Sequence, residues 1–205
     1  MKLAIFDFDG TLFPMDTLPF LMAEWRREGR CLRRLLAAYA SVGSLFVGYK
    51  LGIACGRSRE MLHRMALQRV TRLFAGMSET EVSAFLKRNA ERMAPLLRPS
   101  VLAELRLAQQ QGYHTVLLSG TYETLMQHVG AIIGIDTAIG TALRYKNGIV
   151  DVERELDVVC GNDKVERLIA AFAGHSVDWA ESIAYADSYS DLPVLRRVGH
   201  PVAVC

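Results

Sequence analysis

Two aspartates two residues apart, Asp7 and Asp9, sit in the segment Ile5-Phe6-Asp7-Phe8-Asp9-Gly10-Thr11. Alternate residues of an extended segment share a face, so the spacing predicts two carboxylates side by side. Such a pair can divide labour between a nucleophile and a group that gives and takes a proton. Three later segments carry polar groups that fit the same chemistry. They are Ser119-Gly120-Thr121, Lys164 in Gly161-Asn162-Asp163-Lys164, and Asp187 with Asp191 in Ala186-Asp187-Ser188-Tyr189-Ser190-Asp191. Four carboxylates in one cleft would repel and raise one another's pKa values. A bound Mg2+ relieves that repulsion, since it takes hard oxygen ligands, and Lys164 offsets further charge.

These groups need elements to hold them. Lys2–Phe6 reads as a short buried strand running into the first acidic segment, and Gly10 permits a tight turn there. From about Pro14 to Pro95 the apolar spacing is helical, at Leu18, Leu21, Met22 and Trp25 and again at Val82, Phe85 and Leu86, with Ser78 as a cap. After Pro99 the pattern alternates. Helices are expected over Ser100–Gln111, Glu123–Ile133, Asn162–Ala173 and Leu192–Val198. Strands are expected over His114–Leu118, Thr137–Ile139, Ile183–Ala186 and Val202–Val204. Asn147-Gly148 signals a hairpin between Ala142–Tyr145 and Ile149–Val152. Strands alternating with helices imply an α/β fold: a Rossmann-like parallel sheet core with helices on both faces, plus an inserted all-helical cap domain. The expected division is residues 1–13 and 96–205 as the α/β catalytic core and 14–95 as the cap. In such sheets ligands bind beyond the carboxyl ends of the strands, where each of the polar segments falls.

The 205 residues suffice for one domain with an insert, and 51% hydrophobic with 22% charged residues excludes a disordered or fibrous chain. A net charge of +2 gives no argument for nucleic acid. The charge is uneven, however: residues 14–95 carry 14 basic against 7 acidic side chains, and the remainder 10 against 15. A basic segment in an acidic frame reads as solvated helix faces or as a part that attracts an anion. Cys31, Cys55, Cys160 and Cys205 form no metal-binding or CxxC spacing, which fits free thiols in a reducing cytoplasm. No secretory signal is read at the start, since Asp7 and Asp9 interrupt the early apolar stretch. The uncharged run Leu35–Tyr49 is too short to cross a bilayer.

With these residues in hand, the chain resembles the haloacid dehalogenase superfamily phosphatases, in the branch that includes phosphoserine phosphatase. The resemblance rests on Asp7-Phe8-Asp9-Gly10-Thr11, Ser119-Gly120-Thr121, Lys164 and Ala186-Asp187-Ser188-Tyr189-Ser190-Asp191, in that order. It implies a phosphoric monoester hydrolase in which Asp7 attacks phosphorus and forms an aspartyl phosphate. Asp9 would protonate the leaving oxygen and then activate water. Thr11, Ser119, Gly120 and Lys164 would hold the phosphoryl group. Asp7, Asp187 and the Asp9 backbone carbonyl would ligate Mg2+, with Asp191 a ligand through water or a support for Lys164. The chain departs from that branch in three places. Ala186 stands where the family usually has Gly, Ser190 where phosphoserine phosphatases commonly carry Asn, and Asp16 where they have a substrate-contacting Glu. Arg69-Val70 resembles their cap Arg-Val pair, which makes Asp16 and Arg69 the expected substrate contacts.

Ala40, Ser44, Gly48, Gly52 and Gly56 recur at every fourth position. This stripe reads as a kinked or broken cap helix packed on its neighbours, or as a membrane-touching or dimerising face near Arg26, Arg27, Arg30, Arg33 and Arg34. His63, His114, His128, His175 and His200 lack metal-ligand spacing and read as structural. Leu117-Leu118-Ser119-Gly120-Thr121 is not a nucleophile elbow, which argues against a serine hydrolase. The expected function is a cytoplasmic, Mg2+-dependent phosphatase of a small phosphorylated metabolite. The alternatives are a phosphotransferase, a lipid-headgroup phosphatase with a membrane-touching cap, and a non-catalytic binding protein.

Overall fold

The computed structural model describes residues 1–50 and 59–204. Its centre is a five-stranded parallel sheet of β1 (Leu3–Phe6), β2 (His114–Tyr122), β3 (Thr137–Thr141), β6 (Ile183–Ala186) and β7 (His200–Ala203). The strand order is β3-β2-β1-β6-β7. The chain steps from β1 outward through β2 and β3 and later fills the other side through β6 and β7. The order therefore reverses at β1, and a crevice opens beyond the ends of β1 and β6. The strands are apolar along their length because both faces are covered. Leu3 and Ile5 pack with Val116, Leu118, Leu168 and Val194 on one face. Phe6 packs on the other, its ring stacked on Tyr185 at 4.7 Å.

β2 is longer than the expected His114–Leu118. It runs through Ser119-Gly120-Thr121 to Tyr122, because β3 stays paired as far as Thr141 across a register shift between Leu118 and Tyr122. The hydroxyl of Tyr122 sits 3.0 Å from that of Thr71, and both residues are fully buried.

Between β1 and α5 (Pro99–Gln110) the described residues form helices, as the apolar spacing predicts: α1 (Thr17–Arg27), α2 (Leu32–Lys50), α3 (Arg59–Thr71) and α4 (Glu79–Met93). Ser78 and Glu81 form a reciprocal capping box at the start of α4. Trp25 of α1, Phe85 of α4 and Phe74, in the 3₁₀ turn after α3, meet as a tilted aromatic cluster. Phe74 also contacts Tyr122 of the sheet at 5.5 Å, and α4 packs against α6 (Glu123–Ile133). Helical insert and sheet thus share one hydrophobic cluster.

As far as it is described, α2 is continuous through Gly43 and Gly48. It packs inward through Leu35, Ala38 and Leu45, while the stripe residues Ala40 and Ser44 are exposed. Gly52 and Gly56 of the stripe lie outside the described residues. Among the described residues no helix is long and apolar enough to cross a membrane.

The hairpin falls on β4 (Tyr145–Lys146) and β5 (Ile149–Val150). Both residues of its Asn147-Gly148 turn have positive φ, 53° and 76°. α7 (Asn162–Ala171) and α8 (Leu192–Leu195) lie toward the Leu3 face of the sheet.

Candidate active site

β1 ends at Phe6, so Asp7 and Asp9 lie in the turn beyond it and not on one strand face. Asp7 continues the sheet by donating its backbone N–H to the Tyr185 carbonyl at 3.0 Å. Gly10 then takes φ +79°, and a Cβ there would lie 2.2 Å from Asp187 Oδ2. Glycine is needed twice over, for the backbone angle and for the approach of Asp187. That approach brings the turn after β1 against the turn after β6. The hydroxyl of Thr11, fully buried, lies 3.3 Å from Asp7 Oδ2 and 3.2 Å from Asp187 Oδ1, and shares its proton between them.

Lys164 reaches the same point from the first turn of α7. Its Nζ donates to Asp7 Oδ1 at 2.7 Å and to Asp191 Oδ1, and all three residues are buried. Burial alone would disfavour the ammonium, but the Asp7 and Asp191 carboxylates outweigh it and hold Lys164 above its ordinary pKa. Asp191 is fixed further by Ser188, whose Oγ donates to Oδ2 at 3.0 Å, and by Ser190 Oγ at 3.4 Å. Burial pushes Asp7 up to about 6, with Lys164 pulling it down and Asp191 and Asp187 pushing it up.

One carboxylate oxygen from each of Asp7, Asp187 and Asp191 lies within 4.8 Å of the others. Asp187 is exposed, while Asp7 and Asp191 are buried. Hard oxygen donors at this spacing, with Lys164 beside them, suit a divalent cation such as Mg2+.

The carboxylate of Asp9 is not in that cluster. Its Oδ1 accepts from the Thr17 backbone N–H at 2.9 Å and from the Thr17 hydroxyl. Burial pushes its pKa up to about 7; the Thr17 bonds oppose that and the Asp7 charge adds to it. A carboxyl that changes protonation near neutrality is suited to moving a proton in both directions. Ser119 lies in β2 next to β1, 2% exposed, with its Oγ accepting from the Thr121 N–H at 3.3 Å.

Asp16, the residue before α1, is exposed and makes no capping bond; its charge acts on Asp9. Arg69, on α3, reaches the Ser41 carbonyl and the Ser44 hydroxyl of α2. The structure therefore brings together Asp7, Thr11, Lys164, Asp187 and Asp191, sets Asp9 alongside with Thr17, and turns Arg69 toward α2.

Two further residues of the site emerge only from the folded chain. Thr17, the first residue of α1, is one: a hydroxyl opening the helix soon after Asp9 was the available hint. Arg64 of α3 is the other. It pairs with Asp163 at the start of α7, tying the helical insert to the turn that carries Lys164.

The haloacid dehalogenase-like hydrolase family matches residues 4–196. The "Inhibition of morphological differentiation protein" of Streptomyces azureus is 24% identical over 206 residues, covering 98% of this chain and 70% of that protein. Phosphoserine phosphatase of Methanocaldococcus jannaschii is 23% identical over 205 residues, covering 100% and 85%. A crystal structure of a protein of unknown function from Bordetella pertussis superposes with a TM-score of 0.78 at 23% identity, covering 98% of this chain and 89% of that one.

Proposed function

Because the chain belongs to the haloacid dehalogenase-like hydrolases, we propose that it is a Mg2+-dependent phosphatase acting on a small phosphomonoester through an aspartyl phosphate on Asp7. The observation that carries this reading is the Asp7 carboxylate, bound to Lys164 and lying within 4.8 Å of oxygens from Asp187 and Asp191. Asp7, Asp187 and Asp191, with the backbone carbonyl of Asp9, are the groups that would hold Mg2+. When bound, the ion supplies positive charge against the phosphoryl oxygens.

The protein's own groups account for the rest. One Asp7 oxygen forms a bond to phosphorus as the bond to the leaving oxygen breaks. Asp9, protonated, gives its proton to that oxygen. The product alcohol departs, and Asp9, now ionised, takes a proton from water as the water oxygen attacks phosphorus. Asp7 is released as a carboxylate with inorganic phosphate. Lys164, Ser119 and the Gly120 backbone N–H hold the phosphoryl oxygens, and Thr11 orders the carboxylates beneath them. Uncatalysed phosphate monoester hydrolysis is very slow, with catalysis reaching ~10²¹-fold. One general acid typically supplies only about 10²–10⁴ of that. Fixed charge and positioning must supply most of the remainder.

We take residues 14–95 as a cap over the core formed by 1–13 and 96–205. In this reading the helices open to admit substrate, and their closure excludes water. Asp16 borders the cleft as a substrate contact, whereas Arg69 would first have to exchange its contacts on α2. Cys31 and Cys160 are free thiols, which supports a cytoplasmic setting. The test is release of phosphate from a chromogenic phosphate ester with Mg2+ and with chelator. The wild type is expected to turn over with Mg2+ only, and Asp7→Asn not at all; Mg2+-dependent turnover by Asp7→Asn would refute the nucleophile.

A further inference from the structure

α3 presents Glu60, His63 and Arg64, three and four residues apart, to the α/β part on one face. Arg64 pairs with Asp163, and the Glu60 carboxylate lies against Gly161, where a Cβ would stand 2.6 Å from Oε1. His63 sits over Gly120. A Cβ on residue 120 would lie 2.8 Å from His63 Nε2 and 3.0 Å from the Val159 carbonyl oxygen. The imidazole can occupy that place only because residue 120 is glycine. His63 Nε2 is buried and makes no hydrogen bond of ordinary geometry among the described residues; the Gly120 backbone beside the ring acts on it as a weak acceptor, against the effect of burial. A buried nitrogen so poorly paired is costly and uncommon, and calls for a physical reason. Its surroundings supply one. Gly120 follows Ser119 at the strand end, and the charges acting on the imidazole include those of Lys164 and Asp16, which border the cleft. Burial pushes His63 below its ordinary pKa, so the ring is neutral and can present an N–H at Nε2.

We propose that His63 is a substrate-binding residue delivered by the cap, its Nε2–H donating a hydrogen bond to a phosphoryl oxygen seated against Ser119 and Gly120. This rests on the phosphatase reading and adds a specific cap contact to it. Closure of α3 then completes the phosphate pocket as well as covering it.

The test compares wild type with His63→Ala, His63→Phe and His63→Gln, using a chromogenic phosphate ester with Mg2+ and inorganic phosphate as the competitive inhibitor. A hydrogen bond to an anionic oxygen predicts that KM and the phosphate inhibition constant rise about 10- to 100-fold in the Ala and Phe variants. Gln, which keeps an N–H donor, should stay within about threefold of wild type on the same principle. Without phosphate, the thermal midpoint of the Phe variant should stay close to that of wild type, since the ring nitrogen it removes makes no well-formed hydrogen bond. If KM and the inhibition constant in both the Ala and Phe variants remain within about twofold of wild type, His63 only packs and the proposal is overturned. If the wild type hydrolyses no phosphate ester, the phosphatase reading fails by itself. Calorimetry of inorganic phosphate binding to the Mg2+-supplemented wild type and His63→Phe then decides for His63. Weaker binding by the variant upholds the contact, and equal binding, or binding by neither, overturns it.

Discussion

Asp7 and Asp9 are chemically alike and stand two residues apart, yet the fold gives them different surroundings. Asp7 meets Lys164 and shares a neighbourhood with Asp187 and Asp191, while Asp9, among the described residues, accepts from the neutral donors of Thr17. A buried carboxyl without a cationic partner keeps its proton to higher pH, which is why Asp9 is raised to about 7 and Asp7 to about 6. Asp9→Asn should lower kcat by about 10²–10⁴ on an ester with a poor leaving group. The loss should shrink with a good leaving group, which needs less protonation; equal losses on both would remove Asp9 as the general acid. Protonation is also linked to stability. In the metal-free protein the folded chain retains the Asp7 proton to about pH 6 and the Asp9 proton to about pH 7, whereas the unfolded chain releases both at about pH 4. The folded state binds more protons between these values, so this contribution to stability falls as pH rises. The metal-free thermal midpoint should therefore drop from about pH 5 to about pH 8, and drop less in Asp9→Asn. Added Mg2+ should raise it more at the higher pH. An equal drop in wild type and variant would contradict the assignment for Asp9.

The elements differ in how far their sequence specifies them. β6 falls on Ile183–Ala186 and α6 on Glu123–Ile133, as read, because each is closed by a local signal: Asp187 after the strand, and Gly134, left-handed at φ 76°, after the helix. β2 extends past its apolar run because cross-strand pairing with β3 outweighs local propensity, and no window of one strand contains its partner. α2 runs through two glycines because its buried residues, Leu35, Ala38 and Leu45, are spaced around them. The 3₁₀ turn Arg72–Phe74 ties these levels together. Phe74 is fully buried and touches Trp25 of α1, Phe85 of α4 and Tyr122 of β2. Phe74→Ala should destabilise the protein by about 3–5 kcal/mol, the usual cost of emptying a buried aromatic site. Urea unfolding measures it, and a change below about 1 kcal/mol would mean that insert and sheet do not depend on this contact.

For the molecule as a whole, the site was more legible than its surroundings. Asp7, Lys164, Asp187 and Asp191 come from separate stretches, but each stretch ends or begins an element, and a parallel sheet that reverses order at β1 carries such ends to one crevice. His63 was not legible. A single histidine in a helix has no spacing partner, and its meaning arises only when α3 is laid across the end of β2. Thr17 and Arg64 were hidden for the same reason, since their partners, Asp9 and Asp163, lie across the boundary between insert and core. All of these contacts converge on one claim, that Asp7 carries the phosphoryl group between substrate and water. Acid quenching during turnover of a chromogenic ester with Mg2+, followed by peptide mass mapping, tests it most directly. The account predicts phosphate on the peptide holding Asp7, accumulating further in Asp9→Asn, where water is not activated. Turnover with the phosphate found on another residue, or with Asp7→Asn still active, would contradict it.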